Sequence, residues 1–250
     1  MFKVPLNTLF IGQKIIYLPT CQSTNSYAMD MSEVDVVEGT IIITSHQTAG
    51  KGQRGNTWEA LPNQNFTFSV ILKPHFLPIH KQFELSMIVA LGISNFLQKY
   101  LPDSVKIKWP NDIFYQNKKI CGILIENILK KDVLDKSIIG IGINILQEEF
   151  QSNQATSLRK ITGEMYDLEL LFPELLKNLE EQYLLLINNH STLIKSNYLA
   201  KMFRFNEECK FYSNRLFTGK IVDVDIVGNL IVEVEGEEFK FGMKEISFVY

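Results

Sequence analysis

Residues 47–59, QTAGKGQRGNTWE, contain a Gly-x-Gly-x-x-Gly motif, and the context of this motif constrains the fold more than any other feature. In dinucleotide-binding folds the motif joins a strand to a helix, and an acidic residue follows about twenty positions later. Here strand-like runs lie on both sides, at 39–45 and 66–72, and residues 69–73 contain no carboxylate. The sequence therefore argues against a nicotinamide or flavin site and predicts two strands joined by a glycine loop.

The glycine loop itself has the composition of an anion-binding loop. Its glycines allow backbone N–H groups to face a ligand, and Lys51 and Arg54 add positive charge. Both features predict phosphate or carboxylate binding. A surface loop with two solvated charges is the alternative, and the loop alone does not decide between them.

Composition places the chain among ordinary soluble proteins. It has 250 residues, of which 46% are hydrophobic and 21% charged, which suits one large domain or one domain with a small appendage. Its longest apolar stretches, such as 184–187, are too short to span a bilayer, and residues 1–7 do not read as a signal peptide. We therefore expect a cytoplasmic protein.

Charge and cysteine usage exclude several classes of function. A net charge of −3 and a pI near 5.9 argue against general attraction to nucleic acid. Three widely spaced cysteines, Cys21, Cys121 and Cys209, predict neither a disulfide framework nor a zinc site. The four histidines show no metal-ligand spacing.

Strand and helix patterns alternate over the first two hundred residues. Predicted helices lie at 26–31, after three N-cap residues, at about 78–101, and at 167–188. Predicted strands lie at 14–18, 105–109, 120–126 and 137–144, with 120–126 returning as the hairpin partner of 105–109. After Cys209, five short strands separated by glycines predict a small all-β barrel.

Two further elements carry candidate ligand-binding groups. Lys108-Trp-Pro-Asn-Asp112 places Asn111 and Asp112 at a strand end, where they can reach a nucleotide or its Mg²⁺. Lys119 follows on the next strand, where a cation can point into a cleft. Taken singly, a plain turn explains Asn111 and Asp112 equally well, and a lone lysine at this position would usually be solvated.

Taken together, the motifs closely resemble the biotin–protein ligase family. The matching segments follow the family order over about 120 residues, and the residues after Cys209 look like the family's SH3-like domain. Only about fifteen residues precede the first strand, so the resemblance is to short members without an N-terminal DNA-binding domain. The matching segments are Ser23–Asn25, Gln47–Gly55 with Trp58, Lys108–Ile113, Lys119–Glu126 and Gly140–Asn144.

The resemblance implies an α+β fold and a two-step reaction. The implied fold is a class II aminoacyl-tRNA-synthetase-like mixed sheet with flanking helices at 1–205, followed by an SH3-like β-barrel at 206–250. Biotin and MgATP would form biotinyl-5′-AMP and pyrophosphate, and a lysine of a biotin carboxyl carrier domain would then accept the biotin. The resemblance further implies a monomer or weak homodimer, with no DNA, membrane or tightly bound metal.

Residue roles follow from the same resemblance. Lys119 is the predicted catalytic residue, and Asp112 is a predicted Mg²⁺ contact. Predicted biotin-binding residues are Ser23, Thr24, Asn25, Gln47, Gly50, Lys51, Gly52, Gln53, Lys119 and Gly122. Predicted ATP- and adenylate-binding residues are Lys51, Arg54, Gly55, Trp58, Asn111, Asp112, Gly142 and Asn144.

The sequence departs from the family in the glycine loop. The family loop commonly reads Gly-Arg-Gly-Arg, and here Lys51 and Gln53 occupy the two arginine positions. Lys51 keeps the charge but not the bidentate geometry, whereas Gln53 is neutral. A lipoate–protein ligase and a non-catalytic biotin sensor are the alternatives, and pyrophosphate release distinguishes them from a biotin ligase.

Overall fold

The structure is a computed structural model, and it describes residues 4–5, 7–32, 34 and 36–249, apart from the side chain of Arg54. The predicted domain limits at residues 1 and 250 and the predicted role of the Arg54 side chain lie outside the described residues. No helix in the described residues is long and apolar enough to cross a membrane.

Seventeen helices and strands organise the described chain, together with two short 3-10 turns at Gln53–Gly55 and Ile79–Lys81. The helices are α1 Thr24–Asp30, α2 Phe83–Gln98, α3 Leu158–Thr162, α4 Leu168–Ile187 and α5 Ser191–Lys201. The strands are β1 Ile15–Cys21, β2 Thr40–Gln47, β3 Asn65–Leu72, β4 Val105–Lys108, β5 Asp112–Tyr115, β6 Lys118–Lys130, β7 Val133–Asn144, β8 Glu208–Ser213, β9 Arg215–Val224, β10 Leu230–Val234, β11 Glu237–Phe241 and β12 Ser247–Val249.

The first seven strands form one mixed sheet in the order β1-β2-β3-β7-β6-β5-β4. Only β1 and β2 pair in parallel, and the remaining neighbours are antiparallel. Every residue of the interior strand β3 is buried, because alternate side chains enter cores on opposite faces of the sheet. Phe66 and Phe68 pack against Phe172 of α4, while Ile71 packs beneath α1 with Ala28.

The predicted hairpin between 105–109 and 120–126 is wrong. Strand β4 pairs instead with β5, and β5 pairs with β6, so a short strand separates the two predicted partners. Strand β5 has only four residues and directly follows Pro110 and Asn111. It is therefore too short to show a clear alternation of apolar and polar residues. The prediction also missed α5, whose residues show weak amphipathic patterning.

The helix predictions were closer to the structure. Helix α4 matches the predicted 167–188 almost completely, and the Asp167 side chain caps it by accepting from the N–H groups of Glu169 and Leu170. Helix α2 begins at Phe83, because residues 79–81 form a 3-10 turn after Pro78. Helix α1 begins two residues before the predicted start, with Ser23 as its N-cap.

Strands β8–β12 form a second, antiparallel sheet in the order β11-β10-β9-β8-β12, close to the five predicted segments. The Trp109 indole N–H donates to the carbonyl of Gly228 over 2.9 Å and so joins the first sheet to the β9–β10 turn. Gly228 has a φ of +96°, and a Cβ there would lie 2.5 Å from the ring of Phe83, so the turn requires glycine. The two sheets share one continuous hydrophobic core.

Candidate active site

A cavity of about 50 Å³ opens where α1, the glycine loop and strands β6 and β7 converge. Twelve of the predicted site residues line it: Ser23, Thr24, Asn25, Gln47, Lys51, Gly52, Gln53, Trp58, Asn111, Lys119, Gly122 and Gly142. Six further residues line it that the sequence did not single out as ligand-binding: Thr67, Phe68, Ile123, Leu124, Gly140 and Ile141. Residues separated by up to 119 positions thus share one cavity, which we call the main cavity.

The α1 end of the main cavity carries neutral polar groups, together with the Lys51 ammonium that contacts Ser26. Ser23 caps α1 by accepting from the N–H of Ser26, and the N–H of Thr24 donates to Gln47 Oε1 over 2.9 Å. These contacts hold the first turn of the helix against the end of β2. Hydroxyl and amide groups fixed in this way can exchange hydrogen bonds with an uncharged polar ligand.

Asn25 belongs to an internal hydrogen-bond network beneath this end. Its Nδ2 donates to the Leu124 carbonyl at 3.2 Å and to Glu126 Oε2 at 2.8 Å, while Ser69 Oγ lies 2.6 Å from its Oδ1. Both amide hydrogens of Asn25 are therefore used within the protein. The geometry gives Asn25 a role in positioning α1 in addition to its place in the cavity wall.

Ser69 and Glu126 complete this network and were not predicted as site residues. Ser69 Oγ is fully buried and also lies 2.7 Å from Thr24 Oγ1. The sequence does show Ser69 within the apolar run of β3. Because a buried hydroxyl needs a hydrogen-bond partner, this position indicates that Ser69 bonds to another polar group. That its partners lie on α1 depends on long-range packing.

The opposite end of the main cavity carries a positive charge. Lys119 Nζ lies 2.6 Å from Asp112 Oδ1, and these side chains are 33% and 21% exposed. The ammonium group also lies 5.6 Å from the centre of the Trp58 ring. Because strands β5 and β6 fix both partners, the cation is held at the cavity wall, where it can attract an anionic group.

The glycine loop folds back over the main cavity as a small hairpin. Lys51 pairs with Thr57, and the N–H of Trp58 donates to the Gly50 carbonyl over 3.0 Å. Lys51 Nζ donates to Ser26 Oγ over 2.8 Å and thereby links the loop to α1. Gly55 lies at the tip of the loop with a φ of +88°, outside the cavity lining.

The Trp58 ring lies against the glycines of β6 and β7. A Cβ on Gly142 would lie 2.2 Å from a ring atom of Trp58, so only glycine leaves room for the indole. The Trp58 Nε1 and Asn144 Oδ1 atoms are buried and have no hydrogen-bond partner among the described residues. Unpaired buried polar atoms are costly, and here one donor and one acceptor remain without a partner among the described residues.

Asn144 lies beside the main cavity and outside its lining, as does Gly50. The Asn144 Nδ2 donates to the Thr156 carbonyl over 3.0 Å, which fixes the orientation of the amide. Asn111 is fixed in the same manner, since its Nδ2 donates to the Ile123 carbonyl over 2.8 Å. Both side chains therefore hold their oxygen atoms in defined positions.

Among the described residues, the site shows neither a metal cluster nor an activated thiol. The described residues include no group of three or more His, Cys, Asp or Glu side chains that could hold a metal ion. A Mg²⁺ ion would find Asp112 as its carboxylate, and the remaining ligands would have to come from substrate and water. Burial raises the pKa of the Cys121 thiol well above its ordinary value, so this cysteine is not a nucleophile.

Comparisons with known proteins identify the class to which this fold and site belong. The family model described as the Biotin/lipoate A/B protein ligase family matches residues 17–144. The chain is 30% identical over 234 residues to the bifunctional ligase/repressor BirA of Bacillus subtilis, covering 91% of this chain and 72% of that protein. The chain therefore belongs to the biotin/lipoate A/B protein ligase family.

Two further similar proteins are named as biotin ligases. The biotin protein ligase from Aquifex aeolicus, solved in complex with biotin and ATP, matches with a TM-score of 0.80 and 28% identity, over 95% of this chain and 99% of that one. The biotin--[acetyl-CoA-carboxylase] ligase of Mycobacterium tuberculosis is 26% identical over 206 residues, covering 80% of this chain and 75% of that protein.

Proposed function

We propose that the protein is a biotin–protein ligase, which activates biotin with ATP and transfers it to a carrier protein. One observation carries this function: a single cavity brings the neutral polar groups of Thr24 and Gln47 together with the cation of Lys119. Biotin has the matching polarity, with an uncharged ureido ring at one end and a carboxylate at the other. The family and the ligase bound to biotin and ATP support the same assignment.

In the first step the biotin carboxylate attacks the α-phosphorus of ATP. A new O–P bond forms, the bond to the β-phosphate oxygen breaks, and pyrophosphate leaves with the electron pair. Both reactants are anions, so a fixed cation lowers the barrier by offsetting their repulsion and the charge that develops in the transition state. Lys119 supplies that cation, and Asp112 orients it.

The adenosine group is placed beside Trp58, Gly142 and Asn144. The indole offers an apolar face, and the unpaired Trp58 Nε1 and Asn144 Oδ1 offer hydrogen bonds. Neither step needs a nucleophile from the enzyme, because the biotin carboxylate and the acceptor amine supply both attacking atoms. Mg²⁺, with Asp112 as its protein contact, would neutralise phosphate charge.

We further propose an acceptor, domain limits, a fold relationship, a cellular compartment and an oligomeric state. The acceptor is a biotin carboxyl carrier domain, residues 1–205 form the ligase domain, and residues 206–250 form an SH3-like domain. The first sheet is related to class II aminoacyl-tRNA synthetases. The protein acts in the cytoplasm, without DNA, as a monomer or weak homodimer.

The test is to incubate the protein with MgATP and either biotin or lipoate, and to follow pyrophosphate without any acceptor. We expect release with biotin, because adenylation precedes transfer. Release with lipoate alone would instead identify a lipoate–protein ligase. Biotin binding without pyrophosphate release would identify a non-catalytic sensor.

A further inference from the structure

A second cavity, of about 210 Å³, lies between the two sheets and adjoins the main cavity. We call it the inter-sheet cleft. Gln53, Asn111 and Ile123 line both cavities, so the two meet at these side chains. Val227 and Met243, from turns of the second sheet, form the opposite wall of the cleft.

The side chains described in the cleft carry no charge. They are apolar, such as Phe83 and Ile125, or neutral and polar, such as Gln82 and Ser86. The main cavity, in contrast, contains Lys51 and Lys119. A phosphate group in the cleft would lose its hydration without gaining a described counter-charge, and this disfavours binding of an anion there.

One buried polar atom in the cleft has no partner among the residues that the structure describes. Asn127 Nδ2 donates to Gln82 Oε1 over 3.0 Å, but Asn127 Oδ1 is buried and accepts no hydrogen bond from the described residues. The atom is an acceptor, so it suits a ligand that donates. A lysine side chain supplies N–H donors at the end of an apolar stem, and the apolar walls at Phe83 and Ile125 suit that stem.

We propose that the inter-sheet cleft admits the acceptor lysine of the carrier protein, with Asn127 Oδ1 receiving its N–H and Gln53 and Asn111 at the entrance to the main cavity. This inference rests on the proposed function. The amine lone pair attacks the acyl carbon of biotinyl-adenylate, the C–N bond forms, and the C–O bond to phosphate breaks. AMP leaves with that electron pair, and the amine nitrogen releases one proton to water.

The uncharged lining also suits the chemistry of this step. An ammonium group has no lone pair and cannot attack, so lysine must react as the neutral amine. A largely apolar lining without a described carboxylate favours the neutral form over the charged one. The cleft therefore combines access to the adenylate with conditions in which the lysine is nucleophilic.

The experiment separates adenylation from transfer. Asn127→Trp fills the cleft, and Leu129→Trp is the matched control, on the same strand but 51% exposed and outside the cleft lining. Each variant is first given biotin and MgATP while pyrophosphate is followed. A biotin carboxyl carrier domain is then added to the enzyme-bound adenylate, and transfer is measured in a single turnover, with hydroxylamine as a small competing amine in a parallel reaction.

We expect Asn127→Trp to slow transfer to the carrier at least tenfold, while pyrophosphate release and hydroxylamine trapping stay within twofold of the unaltered protein. Leu129→Trp should leave all three rates within twofold. If Asn127→Trp does not fold, Asn127→Leu removes the acceptor oxygen at similar volume, and a loss of about fivefold or more in carrier transfer alone is expected.

Two results would overturn the inference. Carrier transfer at the unaltered rate in both Asn127 variants would show that the lysine arrives by another path. A parallel loss of pyrophosphate release and transfer would assign the cleft to the nucleotide. Failure of the proposed function is a separate result, since the unaltered protein would then release no pyrophosphate with biotin.

Discussion

At the scale of single residues, the proposed function depends most on Lys119. Its ammonium is the cation placed by two strands at the wall of the main cavity, 2.6 Å from Asp112 Oδ1. Its backbone is held independently, by a bond from its N–H to the Gln154 carbonyl and by one from the Thr156 N–H to its own carbonyl. The strand can therefore keep its position when the side chain is removed.

Lys119→Ala is expected to fold normally and to lose about 10²–10³-fold in adenylation rate, because one preorganised donor to a developing oxyanion typically contributes that much. Lys118→Ala, at the exposed neighbouring position, is the control for loss of a charge. The measurements are single-turnover, biotin-dependent pyrophosphate release and the thermal midpoint. Unchanged release in Lys119→Ala would remove this lysine from the site.

At the scale of elements, the proposed function assigns retention of the adenylate to the glycine loop. Gln53 lies where the loop passes between the main cavity and the inter-sheet cleft. A neutral amide there makes ordinary hydrogen bonds to an anion, whereas an arginine makes charge-assisted ones. The difference, about 1–2 kcal/mol, corresponds to roughly a tenfold change in dissociation rate.

Gln53→Arg is therefore expected to slow dissociation of biotinyl-adenylate about tenfold. The measurement is the decay of enzyme-bound adenylate after dilution into buffer without acceptor. Gln53→Ala, which removes the amide without adding charge, is the control and should release the adenylate at least as fast as the unaltered protein. Equal decay rates in the three proteins would exclude Gln53 from anion binding.

Gly142, on β7, lies against the Trp58 ring at the end of the glycine loop. Gly142→Ala would place a methyl group 2.2 Å from the present position of the Trp58 ring, so the ring must move away from β7. We expect a red-shifted emission from Trp58 and a higher KM for ATP, with unchanged far-UV circular dichroism. Since the chain has two tryptophans, Trp109→Phe in the same background isolates the Trp58 signal. Unaltered emission and KM would show that the Trp58 ring does not lie against Gly142 in solution.

At the scale of the whole molecule, the β9–β10 turn connects the two sheets. Asp225 organises this turn by accepting N–H bonds from Val227 and Asn229, at 3.1 and 2.9 Å. Burial raises the pKa of Asp225, but the hydrogen bonds from Asn229 and Val227 lower it more, so the net shift is downward. The ionised carboxylate is therefore the form that stabilises the fold.

Asp225→Asn is expected to lower the free energy of unfolding at pH 7 by about 1–2 kcal/mol, since an amide oxygen accepts these bonds less strongly. Because the folded pKa lies below the unfolded value near 3.8, this contribution is complete above that pH and is lost as the pH falls through the folded pKa. Urea unfolding at pH 7 and pH 3 measures both effects. Asp223→Asn, on the adjacent strand and 40% exposed, should change stability little, and an equal loss there would argue against a special role for the turn.

The sequence predicted those features that depend on local patterns. Helix α4, the five C-terminal strands and most of the cavity-lining residues, including Trp58 and Lys119, follow from periodicity or from motif resemblance. The placement of β5 was not predictable, because four residues after a turn give no periodic signal. The contacts of Asn25 with Ser69 and Glu126 were also not predictable, since they join residues 44 and 101 positions apart.

Because the two sheets share one core, part of that core stays uncovered while the chain is being synthesised. Residues up to about 205 leave the ribosome before β8–β12, and until then Phe83 and Trp109 lack the turn at Gly228 that later covers them. The nascent chain thus exposes apolar surface late in synthesis, which is the condition under which chaperones bind and proteases cleave. A premature stop codon within the last strands would accordingly reduce the amount of protein in the cell and not merely trim an enzyme that still works.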